Sequence, residues 1–187
     1  LITANANGTY VQTEILNLKV NQSAGETANT YAGLFGLVKD ATIENITVAG
    51  TVTAYNTQNG TAQAGLVAKA YGNTTLRALK AGKGDDASTR FVVKTSKGEV
   101  GYVGGIVGVG DSGATGNRLL IESCDIRNAD ISSHQFGVGG IIGYTQGDNA
   151  ASFTEINRCT VTRANIYSTN GHSVGGIVGR QGAAGAV

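Results

Sequence analysis

A short motif of two small residues followed by two large apolar residues recurs five times in this chain, and this recurrence limits the fold more than any other feature. The second residue is glycine in every copy. The copies are Ala32–Phe35, Ala64–Val67, Gly104–Val107, Gly139–Ile142 and Gly175–Val178. Their second glycines are 32, 40, 35 and 36 residues apart, a spacing typical of stacked repeat units. The spacing therefore predicts a solenoid.

A second apolar pattern follows most copies of the motif and has the same period. Its members are Ile43, Ile46 and Val48; Leu76 and Leu79; Ile121, Cys124 and Ile126; and Ile156, Cys159 and Val161. The pattern is also present before the first motif, as Ile15, Leu18 and Val20. A third short strand-like run closes several units, at 51–53, 129–132 and 164–167. We therefore expect three strands in each unit.

The composition of these segments indicates β-strands rather than helices. They are rich in Val, Ile and Thr, and Gly, Asn, Asp and Ser cluster between them, as in short strands separated by turns. The chain has 29 glycines and no proline, which allows sharp corners and leaves the backbone donors available for strand pairing. We predict an all-β fold, a parallel β-solenoid (β-helix) of about five three-sided coils with one interrupted coil.

Stacked coils place equivalent side chains directly above one another, about 4.8 Å apart. One interior column is expected to contain Leu18, Ile46, Leu79, Cys124 and Cys159. The remaining predicted core residues are Gly33, Leu34, Gly65, Leu66, Gly105, Ile106, Gly140, Ile141, Gly176 and Ile177. The prediction requires Cys124 to lie beside Cys159, and Ile141 beside Ile177.

The fourth residue of each motif raises a separate question, because neighbouring residues in a strand point to opposite faces. If the third residue points inward, the fourth residues form an outward apolar stripe of Phe35, Val67, Val107, Ile142 and Val178. A continuous exposed apolar patch usually marks a contact surface. We therefore predict that this stripe is covered, either by loops such as 111–118 and 146–153 or by a partner.

The two patterns together resemble the GLUG repeat of bacterial surface and secreted proteins. The best copies are 103–108 with 121–126, 138–143 with 156–161, and 32–36 with 43–48. The resemblance covers most of residues 32–179. It implies a β-solenoid stalk or adhesive module of large bacterial surface proteins, among them adhesins and some immunoglobulin A-cleaving proteases. It implies a scaffold and no particular reaction.

One unit departs from the pattern, because Ala68 replaces its closing glycine and an insertion follows at 81–100. We expect an irregular loop or hairpin there, within a single solenoid domain over 1–187. The chain starts at Leu1 and contains no methionine, so we expect a processed or excised segment of a longer protein.

Charge and hydropathy limit the partners. Fourteen basic and 13 acidic residues nearly balance, so there is no general attraction to nucleic acid or anionic membranes. No apolar run reaches the length of about 18 residues needed for a membrane span. We expect no nucleic-acid partner and no membrane span in this segment. The low charge, the many Thr, Ser, Asn and Gly residues and the resemblance favour an extracellular or bacterial cell-surface location.

The cysteines and histidines do not suggest a metal site. Stacking would bring the Cα atoms of Cys124 and Cys159 within disulfide range, but free buried cysteines also pack as small apolar residues, and the sequence leaves both states open. Zinc would need two further ligands, and neither His134 nor His172 has a compact spacing to the pair. We predict no metal site and no cofactor.

The acidic residues do not form a repeated row that would suggest catalysis. One unit after Asp125 and Asp130, the equivalent positions are Thr160 and Asn165. The densest mixture of charges lies in the insertion, where a polar loop explains it; its members are Lys80, Lys83, Asp85, Asp86 and Arg90. We predict no catalytic residue and expect that the chain is not an enzyme.

Two functions remain open at this point. The favoured one is a structural and adhesive extracellular module of a bacterial surface protein. Such a module could associate head to tail into fibres through uncapped ends, and could bind a host or cell-surface glycan or protein. The alternative is a carbohydrate-binding or polysaccharide-cleaving β-helix that uses the loops at 81–100 and 111–118. The sequence does not identify the ligand.

Overall fold

The structure is a computed structural model that describes residues 12–22, 29–55, 61–95, 101–113, 116–148 and 151–183. Every strand pairing in these residues is parallel, and the strands belong to four sheets that run along one rod. The chain passes through the four sheets in a fixed order and then begins the next coil. The predicted parallel β-solenoid is confirmed, with four complete coils, β1–β4, β5–β8, β9–β13 and β14–β17, followed by β18–β20.

The strands of the four sheets have the following bounds. The first sheet contains β1 (Thr13–Asn21), β5 (Ile46–Ala54), β9 (Lys80–Ala81), β10 (Phe91–Thr95), β14 (Asp125–Ser133) and β18 (Thr160–Ser168). The second contains β2 (Thr30–Ala32), β6 (Ala62–Ala64), β11 (Gly101–Gly104), β15 (Gly137–Gly139) and β19 (Ser173–Gly175). The third contains β3 (Phe35–Lys39), β7 (Val67–Tyr71), β12 (Val107–Asp111), β16 (Ile142–Asp148) and β20 (Val178–Ala183). The fourth contains β4 (Thr42–Glu44), β8 (Thr74–Arg77), β13 (Arg118–Glu122) and β17 (Phe153–Asn157), and Ala87–Thr89 form a short 3-10 helix.

Each complete coil passes through four sheets instead of the predicted three strands, because corners divide two of the sequence patterns. In the third coil the chain bends at Gly105 and Ile106, so the repeated motif ends β11 and begins β12. A Cβ atom on Gly104 would lie 2.0 Å from the carbonyl oxygen of Val107. Only glycine can occupy this position, because the two arms of the corner approach so closely.

A second corner joins the fourth sheet to the first in every complete coil. The corner residue has a left-handed backbone on each occasion; the residues are Asn45, Ala78, Ser123 and Arg158, with φ of 59°, 51°, 54° and 51°. Such a conformation is unfavourable for residues other than glycine. Hydrogen bonds between coils hold it, including Asn45 N to Arg77 O at 3.2 Å and Ser123 N to Asn157 O at 2.9 Å.

The predicted stacking of equivalent residues is confirmed. Thr160 N donates to Cys124 O at 2.9 Å, which places Cys159 beside Cys124, and Ile141 N donates to Ile177 O at 2.9 Å. The column with Ile46 and Leu79 also forms, since Thr47 pairs with Lys80 and Lys80 with Asp125. Leu18 is the exception.

The structure corrects the position of Leu18. Leu18 pairs with Gly50, whereas Thr13 pairs with Ile46 and so occupies the place predicted for Leu18. The register of β1 shifts between Ile15 and Leu18. The apolar residues of β1 and β5 have the same spacing in the sequence, but residues at matching places in that spacing do not pair with each other. The irregularity in β1 changes their pairing partners.

The alignment of the repeated motif also shifts by one residue. Ala64 pairs with Val103, so Gly65 lies beside Gly104 and not beside Gly105. Val67 nevertheless pairs with Val107. The corner of the third coil is therefore one residue longer than that of the second. The matching glycines in the sequence hide this difference.

The predicted insertion at 81–100 is partly regular. The described residues reach Thr95, and β10 (Phe91–Thr95) pairs with both β5 and β14 in the first sheet. Phe91 is fully buried, opposite Gly50 and Ala129. The irregular part between β9 and β10 is the segment 82–90, hereafter the 82–90 loop. The strand was missed because its coil continues only after this loop.

The apolar core fills the space between the sheets in the middle coils. Leu66, Ile106 and Ile141 are fully buried, as predicted for the third residue of the motif. The same column becomes exposed in the last coil, where Ile177 is 39% exposed. Leu34 in the first coil is only partly buried.

The prediction of an outward apolar stripe is corrected by the structure. Val67, Val107 and Ile142 are fully buried members of the core, and Phe35 and Val178 pack partly against it. The third and fourth residues of the motif both point inward because the third lies at the corner and the fourth begins the next strand, and alternation holds only within a strand. The stripe is therefore covered by the core itself.

The stacking predicts a large loss of stability on substituting one of two equivalent glycines and almost none on substituting the other. A Cβ atom on Gly140 would lie 2.0 Å from the carbonyl oxygen of Gly176 in the next coil, whereas one on Gly176 would meet nothing within 4 Å. We expect Gly140→Ala to lower the free energy of unfolding by about 2–3 kcal/mol. Gly176→Ala is the matched control and should change it by less than about 0.5 kcal/mol. Urea denaturation of the two variants measures both; equal effects would contradict the observed stacking.

Candidate functional site

The 82–90 loop lies on the outer face of the first sheet and connects several coils through ion pairs. Asp85 contacts Arg127, at 3.6 Å, and Arg163 in the following coil. Lys83 reaches Glu14 of β1 at 2.6 Å. The backbone oxygen of Asp86 accepts a hydrogen bond from the Asn128 side chain at 2.8 Å. The loop is therefore fixed to the rod on both sides.

The charges at this loop stabilise one another. The hydrogen bond from Arg163 lowers the pKa of the Asp85 carboxyl, with a further contribution from Arg127, and Asp85 raises the pKa of Arg163 in return. Arg90, the last residue of the loop, pairs with Asp130 at 3.0 Å. Of the charged residues that sequence analysis singled out here, Lys83, Asp85 and Arg90 thus form structural ion pairs.

Two open clefts border the 82–90 loop. One of about 400 Å³ lies between Leu18, Gly50, Ala87, Arg90 and neighbouring residues. The other, of about 200 Å³, has a polar and charged lining; its residues are Gln12, Glu14, Thr47, Lys80, Gly82, Lys83, Gly84, Asp125 and Arg127. The two clefts are the places on this face where a ligand could contact several coils at once.

A third cleft lies at the other loop that the sequence analysis selected, 111–118, of which residues 114 and 115 are outside the described structure. It measures about 200 Å³ and is lined by Lys39, Tyr71, Asp111, Asn117 and two glycines. Asp111 pairs with Lys69 at 3.1 Å. Its carboxylate is therefore already neutralised by a neighbouring coil.

The outer face of the fourth sheet carries a ladder of alternating charges. Arg77 lies 3.8 Å from Glu44 and 3.0 Å from Glu122, in the coils before and after it. Glu122 also contacts Arg158. Hydrogen bonds from Arg158 and Arg77 lower the pKa of Glu122. Sequence analysis missed this ladder, because these side chains are far apart along the chain.

An aromatic cluster lies on the outside, where the second and third sheets meet. The rings of Tyr102 and Tyr144 stack with centroids 4.5 Å apart, and those of Phe136 and His172 at 5.0 Å. The Arg180 guanidinium lies 5.7 Å from the Tyr144 ring. No motif in the sequence indicates this cluster, because residues of different types occupy its equivalent positions: Phe136 is equivalent to His172, and Tyr144 to Arg180.

The other candidate polar residues have structural partners. Asp125 accepts a hydrogen bond from Thr160, and the ring nitrogen Nδ1 of His134 lies 3.0 Å from the hydroxyl of Thr169. Among the residues that the structure describes, no three His, Cys, Asp or Glu side chains are grouped as metal ligands. The predicted acids and histidines are thus dispersed along the rod.

Cys124 and Cys159 are free thiols on adjacent coils. Cys124 is 1% exposed, whereas Cys159 is half-buried because it lies in the last coil. The neighbouring Cys159 side chain raises the pKa of Cys124, as does burial, and the Cys124 side chain lowers the pKa of Cys159. Of the two states that the sequence left open, the structure has the reduced one.

The apolar core is open at the last coil. Val174 is 49% exposed, although Val138, which precedes it in the same column, is fully buried. At the opposite end, a cavity of about 360 Å³ is lined by apolar residues of the first two coils, among them Ile15, Leu34, Phe35, Ile43 and Ile46. Both ends of the rod therefore present apolar surface.

No protein-family model, no curated protein and no solved structure matches this chain. The resemblance to GLUG repeats consequently stays a prediction. In the described parts of the chain, no helix has the length and apolar character to cross a membrane. The candidate sites are thus argued from their geometry alone.

The fourth-sheet ladder gives a pH-dependent prediction. The pKa of Glu122 is lowered below its ordinary value of 4.5, so its ion pairs stabilise the fold above that pH and lose their effect as the pH falls below it. Glu122→Gln should therefore lower the melting temperature at neutral pH, and the difference from the wild type should shrink and then vanish as the pH falls below 4.5 and the folded carboxylate is protonated. Thermal melts followed by circular dichroism across this pH range measure it; a difference independent of pH would contradict the role of the ladder.

Proposed function

We propose that this chain is a structural and adhesive module of an extracellular, bacterial cell-surface protein. The observation that carries the proposal is the way in which the charged side chains pair with one another. The ion pairs of the 82–90 loop and of the fourth-sheet ladder connect successive coils, instead of converging on one reactive centre. A rod stabilised along its whole length is suited to holding a binding surface away from a cell.

The chemistry of the outer surface supports the same proposal. Its low charge and its many Thr, Ser and Asn side chains are compatible with an extracellular environment, and the resemblance to GLUG repeats points in the same direction. The ligand would be a glycan or a protein of a host or of another cell. The module itself performs no reaction.

The open ends support self-association head to tail. An uncovered solenoid end offers unpaired backbone groups and apolar side chains to another chain. A second copy could continue the columns: Val178 and Phe35 belong to one column, and Val161 and Ile15 to another. The third and first sheets of one copy would then extend into those of the next.

The charges of the two ends are also complementary. The described residues after β17, 158–183, contain three arginines and no acidic residue, whereas those of the first coil, 12–22 and 29–45, contain three carboxylates and two lysines. Contact between opposite ends is favoured over contact between two identical basic ends.

Self-association is tested by sedimentation velocity over a range of protein concentrations. We expect assemblies of increasing length that dissociate as salt is added, because part of the attraction is between surface charges. Gly176→Leu should abolish assembly without loss of thermal stability, since this position is open in the single chain but faces the next coil in the stack. Arg180→Glu should weaken assembly, because it replaces a positive charge at the same end with a negative one and leaves the fourth-sheet ladder intact. A chain that stays monomeric at high concentration would contradict self-association while leaving the scaffold proposal intact.

The clefts beside the 82–90 loop favour carbohydrate binding as a second candidate function. Polar side chains and an open groove along several coils suit an extended sugar chain. A glycan array followed by calorimetry tests this candidate. Binding that is lost when residues 83–89 are replaced by a short glycine linker, and kept in Glu122→Gln on another face, would favour it. Release of shortened sugar chains would extend the function to polysaccharide cleavage.

A further inference from the structure

The two cysteines occupy equivalent places on adjacent coils, and each follows its own coil's copy of the corner between the fourth and first sheets. Each follows a residue with left-handed backbone, Ser123 or Arg158, and each precedes a strand of the first sheet. The hydrogen bond from Thr160 N to Cys124 O holds the two corners together at 2.9 Å. Both side chains pack in the apolar core, and their sulfurs donate to backbone oxygens, Cys124 to Leu76 O at 3.6 Å and Cys159 to Ile121 O of the preceding coil at 3.5 Å.

The distance between the two coils permits a covalent bond after a small movement. Neighbouring strands lie about 4.8 Å apart, which is within the Cα separation of disulfides. The Cβ atoms of a disulfide are closer, at about 3.8 Å, so the two side chains must approach by roughly 1 Å. Cys159 can make this movement, because it lies just outside β18 and that strand is paired on one side only, with β14.

The two thiols differ in reactivity in a way that gives each a separate role. Cys159 is half-buried at the open coil, and the neighbouring Cys124 side chain lowers its pKa. A larger thiolate fraction and partial exposure make a cysteine the attacking nucleophile. Cys124 is 1% exposed and its pKa is raised. It can react only with a partner that is already beside it, which is the position of Cys159.

We propose that Cys124 and Cys159 are a modification site, at which a small-molecule disulfide such as oxidised glutathione forms a disulfide bond between adjacent coils. The Cys159 thiolate attacks one sulfur of oxidised glutathione, whose S–S bond breaks and releases one glutathione thiolate. Cys124 then gives its proton to a thiolate or to water and attacks the Cys159 sulfur, which releases the second glutathione. The two protein thiols are oxidised to one disulfide, and oxidised glutathione is reduced to two thiols.

The bond would connect the last coil to the coil before it. The last coil has the least buried core of the rod, as the exposure of Val174 and Ile177 indicates. Closing a loop between residues 124 and 159 restricts the unfolded chain and raises the melting temperature by roughly 5 °C, after allowance for strain in the bond. This inference is independent of the adhesive role and of head-to-tail association.

The test is to incubate the purified protein with oxidised glutathione and to measure its intact mass without reductant. The wild type should lose the mass of two hydrogen atoms, remain a monomer on a denaturing gel and gain thermal stability, and dithiothreitol should reverse all three changes. Cys124→Ser should instead gain one glutathione at Cys159, because the second thiol is missing. Cys159→Ser should stay unmodified, because Cys124 is buried.

Three results would overturn the proposal. They are a wild type that keeps one glutathione, a wild type with no change in mass, and a wild type whose disulfide joins two copies of the chain. If the wild type forms no bridge, the serine variants show why. Addition of glutathione to Cys124→Ser means that Cys159 reacts but does not bridge, whereas no addition to either variant means that neither cysteine reacts. Their melting temperatures in reductant show whether the replacements themselves alter the fold.

Discussion

Parallel hydrogen bonding between successive coils is the interaction on which the rest of this structure depends. It continues through the corners, where Ile106 N donates to Ile141 O and Ile141 N to Ile177 O. Because each coil repeats the path of the coil before it, equivalent residues become neighbours and the interior is built from columns. A coil without a neighbour has an exposed core, as Val174 and Ile177 demonstrate in the last coil.

The corners determine which residues the columns can contain. Backbones approach so closely at Gly104 and Gly140 that a Cβ atom would overlap a carbonyl oxygen. A second corner uses a left-handed residue that need not be glycine, such as Asn45 or Arg158. The repeated glycines therefore fix only one of these two corners, and the position of the other depends on hydrogen bonds between coils.

Charged side chains on the outside of the rod also connect residues of different coils. Glu122 lies between Arg77 and Arg158, and Asp85 between Arg127 and Arg163, so each carboxylate connects different coils. These exposed pairs contribute modestly one by one, but they occur along the whole length of the rod. This pairing between coils is the observation on which the proposed scaffold function rests.

The sequence by itself determined the parallel solenoid, its period and most of its columns, because glycine corners and apolar spacing recur locally in every unit. Only the tertiary structure decided that the motif forms a corner ahead of its last apolar residue, that Leu18 pairs with Gly50, and that β10 rejoins the first sheet after the 82–90 loop. It also decided which charges meet, as for Arg77 and Glu122. The physical reason is that register depends on the exact length of each corner and loop, and on contacts between residues about one coil apart, which a local pattern does not contain.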